Sequence, residues 1–151
     1  FNGQEQKGID YLDKAIELDP NNAQYYNVKG SVMETLNRIP EATAAYDKAL
    51  TLNPKLMEAW NNKGRMVYNE AYKFEDRAVS IRDPKASANL QAAALEKFKE
   101  ALPYFEKAAE LNPTDLDNLR TLRSIYYRLL NVDAKTYQGK YDAINAQIKS
   151  L

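Results

Sequence analysis

The sequence contains no histidine and no cysteine. The commonest general base, the thiol nucleophile and the usual zinc ligands are therefore all missing. Neither a Gly-x-Gly-x-x-Gly run nor a Walker-type phosphate loop is present, so nothing is built to cradle a nucleotide. Catalysis would fall to carboxylates, Lys, Tyr or Ser alone. Two acidic pairs, Glu17 with Asp19 and Asp115 with Asp117, flank expected helix ends, where carboxylates serve caps and dipoles. The chain is expected not to be an enzyme and to hold no cofactor or metal. Net charge is also missing: Lys plus Arg and Asp plus Glu number 21 each, leaving no global field to attract nucleic acid or an anionic membrane. No apolar run approaches the length of a bilayer span. Five glycines and six prolines in 151 residues are too few for a collagen-like or disordered chain. The lack of cysteine by itself fits any redox compartment.

What is present is a phrase stated three times. It reads Tyr11-Leu12-Asp13-Lys14-Ala15-Ile16-Glu17-Leu18-Asp19-Pro20, then Tyr46-Asp47-Lys48-Ala49-Leu50-Thr51-Leu52-Asn53-Pro54, then Tyr104-Phe105-Glu106-Lys107-Ala108-Ala109-Glu110-Leu111-Asn112-Pro113. Each copy is an amphipathic helix ending on Asp or Asn before Pro, which lacks an N–H and biases its predecessor away from helical angles. The first two prolines stand 34 residues apart.

The spacing predicts a first helix over about 4–19, with Gly8, Leu12, Ala15 and Ile16 on one face. Asn21 and Asn22 are candidate caps for a second helix over about 23–36, in which Tyr26, Gly30 and Met33 step by four and three. Gly30 costs about 1 kcal/mol against Ala in a helix interior, so a close approach by a paired helix is expected to compensate. Residues 37–39 form a turn, and Pro40 suits the first position of a third helix with Ala42, Tyr46, Ala49 and Leu50 inward. Ala49→Leu is expected to overpack that contact and cost about 1–3 kcal/mol.

In residues 23–56, Tyr26, Gly30, Ala42, Tyr46, Ala49 and Pro54 stand at the spacings of the tetratricopeptide repeat, which the chain resembles. The next unit supplies Trp60 and Gly64, then, after an interruption, Ala101, Phe105, Ala108 and Pro113. Lys29 and Lys63 replace the family's leucine before glycine; a Lys stem covers apolar surface while its ammonium reaches water. The resemblance implies an all-α fold, an α-α superhelix of about seven helices in antiparallel pairs, within a single domain. Residues 1–22 are then the second helix of an incomplete repeat, 23–56 a full repeat, 57–115 a repeat carrying an insertion, and 116–151 a degenerate closing repeat. The first helix, lacking its partner, would need a cover from upstream sequence or a second molecule.

The insertion is the individual feature. Between Pro54 and Pro113 the chain carries 25 residues beyond one period, around Asp83-Pro84. Tyr72, Phe74, Ala78, Val79 and Ile81 precede it, and Leu90, Ala93, Ala94, Leu95 and Phe98 follow. Both flanks are good helix formers. They predict two overlong helices, about 56–82 and 85–111, each roughly 40 Å long at 1.5 Å per residue, rather than a mobile loop over 76–89. A sixth helix follows a cap at Thr114 or Asp115 and runs to about 130, with Leu119, Leu122, Ile125, Tyr126 and Leu129 inward. A seventh spans about 133–150, where Tyr137, Tyr141, Ile144 and Ile148 place large groups where the family has small ones; Arg123 replaces its glycine. Asp142, Asn145 and Lys149 leave the outer side polar, as a closing unit requires.

In this family the first helix of each repeat lines a concave groove that binds extended peptides or partner helices. Carried over by phase, the groove positions are Gln24, Asn27, Val28, Ser31, Glu34 and Thr35; Glu58, Asn61, Asn62, Arg65, Tyr68 and Asn69; and Asp117, Arg120, Thr121, Ser124, Tyr127 and Arg128. The residues expected to touch a peptide are Asn27, Ser31, Asn61, Asn62, Arg65, Tyr68, Asn69, Arg120, Ser124, Tyr127 and Arg128. Asn presents donor and acceptor together, Arg forks onto carboxylates, and Tyr is a rigid amphipathic anchor. Against this stands the plain alternative of a solvated face, with Arg120 and Arg128 paired to nearby acids. Trp60 is read as core. Some relatives clamp a chaperone's C-terminal carboxylate with Lys, Asn and Arg; only Asn62 matches, with Asn27, Asp117 and Thr121 at the basic positions, so no such binding is expected.

The resemblance thus implies a scaffold for protein or peptide partners, without nucleic acid or a membrane span. The alternative is self-association, a homo-oligomer formed through the unpaired first helix and the projecting hairpin. The chain starts at Phe1 rather than Met, so it is read as a processed or trimmed piece. With the likeness to bacterial envelope members of the family, this favours an extracytoplasmic site.

Overall fold

The computed structural model describes residues 3–151, with side chains from Gln6 onward. Among these residues there are seven α-helices and no strand: α1 (Gly3–Leu18), α2 (Ala23–Thr35), α3 (Ile39–Leu52), α4 (Met57–Ser80), α5 (Pro84–Leu111), α6 (Leu116–Leu130) and α7 (Ala134–Ser150). The chain packs as two compact units, Phe1–Lys63 and Gly64–Leu151.

In the first unit, the turns are built from side chains that occupy helix-end groups. Asn22 accepts from the Gln24 N–H at 3.1 Å and caps α2. The Tyr26 hydroxyl donates to the Pro20 carbonyl at 3.2 Å, and the Trp60 indole repeats this one period later, donating to the Pro54 carbonyl at 2.9 Å. Helix α2 ends on Asn37 in the left-handed region, φ 57°. That conformation lets the Asn37 and Arg38 N–H groups reach the Glu34 and Met33 carbonyls. Pro40 falls at the second position of α3 rather than the first, because Ile39 already has helical geometry after the Arg38 cap.

The expected close approach is present. A Cβ on Gly30 would lie 2.5 Å from the Tyr46 ring, and Tyr46 is wholly buried. Ala49, Leu50 and Ala59 form a core against which Tyr26, Leu56 and Trp60 pack. The two departures from the family's leucine have a shared explanation. Lys29 donates to Asp13 at 2.7 Å, and Lys63 forms the same ion pair with Asp47, so each ammonium reaches a half-exposed carboxylate on the preceding helix. In α1 the inward stripe is corrected by one place. Ile9 is buried and Gly8 exposed, with Leu12, Ala15 and Ile16 half-buried.

In the second unit, the insertion is helical. Residues 81–83 alone separate α4 from α5. At 24 and 28 residues, these helices are about 36 and 42 Å long at 1.5 Å per residue. Asp83 caps α5 through the Lys85 and Ala86 N–H groups, Pro84 follows as its first residue, and the Ser87 hydroxyl donates back to the Ala78 carbonyl at 2.8 Å. The core gathers Val67, Ala71, Ala94, Phe98, Ala101, Phe105, Leu119, Leu122, Ile125 and Leu129. Gly64 meets the Phe105 ring and Tyr104 Cβ, each 3.1 Å from a would-be Cβ. Val79 and Ile81, expected with the apolar flank, are exposed; only Ala78 of that trio is buried. Pro103 stands inside α5 on its exposed side, where the carbonyl it leaves without a helical partner can bond water.

Candidate functional site

Within the first unit, Asn27 is buried and accepts from the Asn62 amide at 3.0 Å. This bond ties α2 to the start of α4. Asn61 beside it is half-buried. Ser31 lies elsewhere, in a groove of about 330 Å³ between α1 and α2 lined by Gly8, Leu12, Val28, Val32, Thr35 and Leu36.

Within the second unit, three of the expected residues are brought into one network. The Tyr68 hydroxyl donates to the Ser124 hydroxyl at 3.4 Å and lies 3.1 Å from the Tyr72 hydroxyl. Arg128 donates to Ser124 Oγ at 2.6 Å, to the Tyr72 hydroxyl at 2.8 Å, and to both Glu75 oxygens at 3.1 and 3.4 Å. Its guanidinium also lies over the rings of Phe98 and Tyr72, at 4.8 and 5.0 Å. Burial works against that charge, but the Glu75 carboxylate outweighs it and holds the guanidinium above its ordinary value. Tyr68 packs edge-on to Tyr72, Phe98 and Phe105, and burial pushes its phenol up to about 12. Arg128, Ser124 and Tyr68 therefore direct their polar atoms at one another, fixing α4 to α6.

Four other expected residues are exposed. Arg65 and Asn69 stand on α4, and Arg120 and Tyr127 on α6. Arg120 pairs at 3.5 Å with Asp117, and the Tyr127 ring lies 6.0 Å from that of Tyr141. The acidic pairing foreseen for both arginines is present.

Sequence phase missed the surroundings of Arg128. Tyr68, Tyr72 and Glu75 follow a four-three spacing along one helix face, a signal that was available. Phe98 comes from α5, and spacing along α4 and α6 carries no signal of it. Beyond Arg128 the two long helices border a cleft of about 470 Å³, lined by Tyr72, Asp76, Val79, Leu95 and Val132 among others. Asn118, one position before the expected Leu119, is buried and donates to the Phe105 carbonyl at 3.0 Å, which anchors α6 on α5.

The tetratricopeptide repeat family model matches residues 1–22, 23–56 and 92–115, together more than half of the chain. Human mitochondrial import receptor subunit TOM70 is 29% identical over 99 residues, covering 66% of this chain and 14% of the receptor. The peroxisomal targeting signal receptor of Candida glabrata is 27% identical over 130 residues, covering 83% of this chain and 22% of the receptor. This chain thus spans only a small part of either relative. Among solved structures, the crystal structure of YrrB, a TPR protein with an unusual peptide-binding site, aligns at TM-score 0.37 and 24% identity over 92% of this chain and 73% of that one. With the repeated Gly-against-aromatic contact at Gly30 and Gly64 and the matched residues, the chain belongs to the tetratricopeptide repeat family.

Proposed function

We propose that this chain is a non-catalytic protein-interaction scaffold that holds an extended segment of a partner against the first helices of its repeats. One observation carries the reading. Arg65 and Asn69 on α4, with Arg120 and Tyr127 on α6, are exposed on the two helices that Tyr68, Ser124 and Arg128 lock together. Rigid helices carrying exposed side chains lower the ordering cost of capture. The relatives' names, an import receptor and a targeting signal receptor, support protein recognition as the shared task.

The test uses the intact chain as bait and identifies what it retains by mass spectrometry. Arg65→Ala combined with Tyr127→Ala is expected to abolish retention of the principal partner while leaving helicity unchanged. Undiminished retention by that variant would overturn the reading.

Self-association is a second reading, favoured by the open groove between α1 and α2. Leu12 stands one 34-residue period before Tyr46, which receives Gly30 of a neighbouring helix, yet Leu12 lines open space. Sedimentation at rising concentration separates the two readings, because Leu12→Lys disperses an assembly built on that groove and leaves partner capture intact.

A further inference from the structure

The cleft beyond Arg128 is the place where the insertion changes the surface. It has a volume of about 470 Å³ and is bordered by the ends of α4 and α5 and by the turn after α6. That lies within the range of sites that hold small ligands and side chains. Its apolar wall is Val79, Leu95, Val132 and Ala78. Val79 is 87% exposed and Val132 58% exposed, so two of the large hydrophobic side chains that face solvent converge on one cavity. Convergence of that kind marks a contact surface, whereas singly scattered apolar residues do not.

The charges around it are one-sided. Arg128 is the only cation in the lining, and its guanidinium is already held by Glu75, Tyr72 and Ser124. Asp76, on the rim three residues from Val79, makes no side-chain hydrogen bond or ion pair among the described residues. Among the other basic groups of the long helices, Lys73, Arg77 and Lys97 line a separate groove with Phe74 and Glu70, and none of the rest lines this cleft. The cleft therefore presents apolar walls and an uncompensated carboxylate.

We propose that this cleft receives a partner segment carrying a branched aliphatic or methionine side chain next to a lysine or arginine. The aliphatic group enters between Val79, Leu95 and Val132, and the cation reaches Asp76. The assignment deepens the scaffold reading and rests on it, adding a second contact that a repeat without the insertion lacks. A carboxylate-bearing segment is disfavoured, since it would desolvate against Asp76 while Arg128 is already held by Glu75.

The test selects peptides from a random displayed library on the full chain, then measures the consensus peptide by fluorescence anisotropy. The expected consensus joins Leu, Ile, Val or Met to a nearby Lys or Arg. Val79→Ser with Val132→Ser should weaken it about tenfold or more, as removal of an anchor's pocket does. Asp76→Lys should weaken it and abolish its salt dependence. Because the substituted side chains are exposed, helicity by circular dichroism should match the parent in each variant. An acidic consensus, or affinity indifferent to the serine pair, would overturn the proposal. Peptides lost with Arg65→Ala and Tyr127→Ala but kept by the cleft variants would sink the cleft and leave the scaffold standing. No enrichment at all would sink both.

Discussion

The Tyr46 ring occupies the space that a side chain at position 30 would need: its Cε1 lies 2.5 Å from the ideal Cβ of Gly30. Tyr46 cannot retreat, since it is wholly buried and its hydroxyl donates to Glu34 at 3.0 Å. Gly30→Ala should therefore destabilise by about 1–3 kcal/mol through overpacking, although alanine favours helices by about 1 kcal/mol. Gly8→Ala and Gly139→Ala, where nothing lies within 4 Å, should stabilise by up to about 1 kcal/mol. Urea denaturation of the three variants gives the comparison. Equal shifts of one sign would show that the Tyr46 contact does not decide the outcome.

Pro103 sits in the interior of α5 on the solvent side. A proline there removes one helical hydrogen bond and crowds the preceding turn, at about 3 kcal/mol. Pro103→Ala should recover a large part of that and raise the melting temperature. An unchanged or lowered melting temperature would mean that the bond lost at Pro103 is replaced elsewhere.

Arg128 and Glu75 form a two-pronged pair, with the guanidinium over the Tyr72 and Phe98 rings. Arg128→Met should destabilise more than Glu75→Gln, because it also removes bonds to Tyr72 and Ser124. A double-mutant cycle should give a coupling of about 0.5–3 kcal/mol. Additive single effects would reduce the pair to a surface ornament with no hold on α6.

The Tyr126 phenol donates to Glu106 at 2.7 Å; burial, and then the carboxylate it serves, raise it well above its ordinary value. Tyr68 is also raised, to about 12. Unfolded tyrosines ionise near pH 10. Above that pH the unfolded chain sheds protons that the folded chain still holds, so the unfolded state binds fewer and stability falls as pH rises. The unfolding midpoint should decline from pH 10 toward 12, with a shallower slope in Tyr126→Phe. Absorbance titration should show the same two phenols ionising last.

Helix identity was legible because Asp or Asn before Pro ends three of the helices and glycine marks two close approaches. The inserted helices were legible too, since residues 72–98 hold many helix formers and no glycine. Side-chain direction was less so. Val79 fits the apolar pattern of its helix yet faces solvent, because periodicity specifies a face and not whether a neighbour extends far enough to cover it. Asn27 and Arg128 have the polarity of a solvated groove, but one is buried on Asn62 and the other is held by Glu75. Polarity alone does not separate a residue that waits for a partner from one already engaged within the fold.

The three-residue turn at 81–83 places all the added chain inside one repeat, with comparable lengths on α4 and α5. The pair thus behaves as a spar whose reach can be trimmed or grown. Removing about two helical turns, roughly seven residues, from each helix keeps every surviving face in register, whereas shortening one helix alone leaves the pair about 10 Å out of step. Reach and facing are consequently separate variables in this protein.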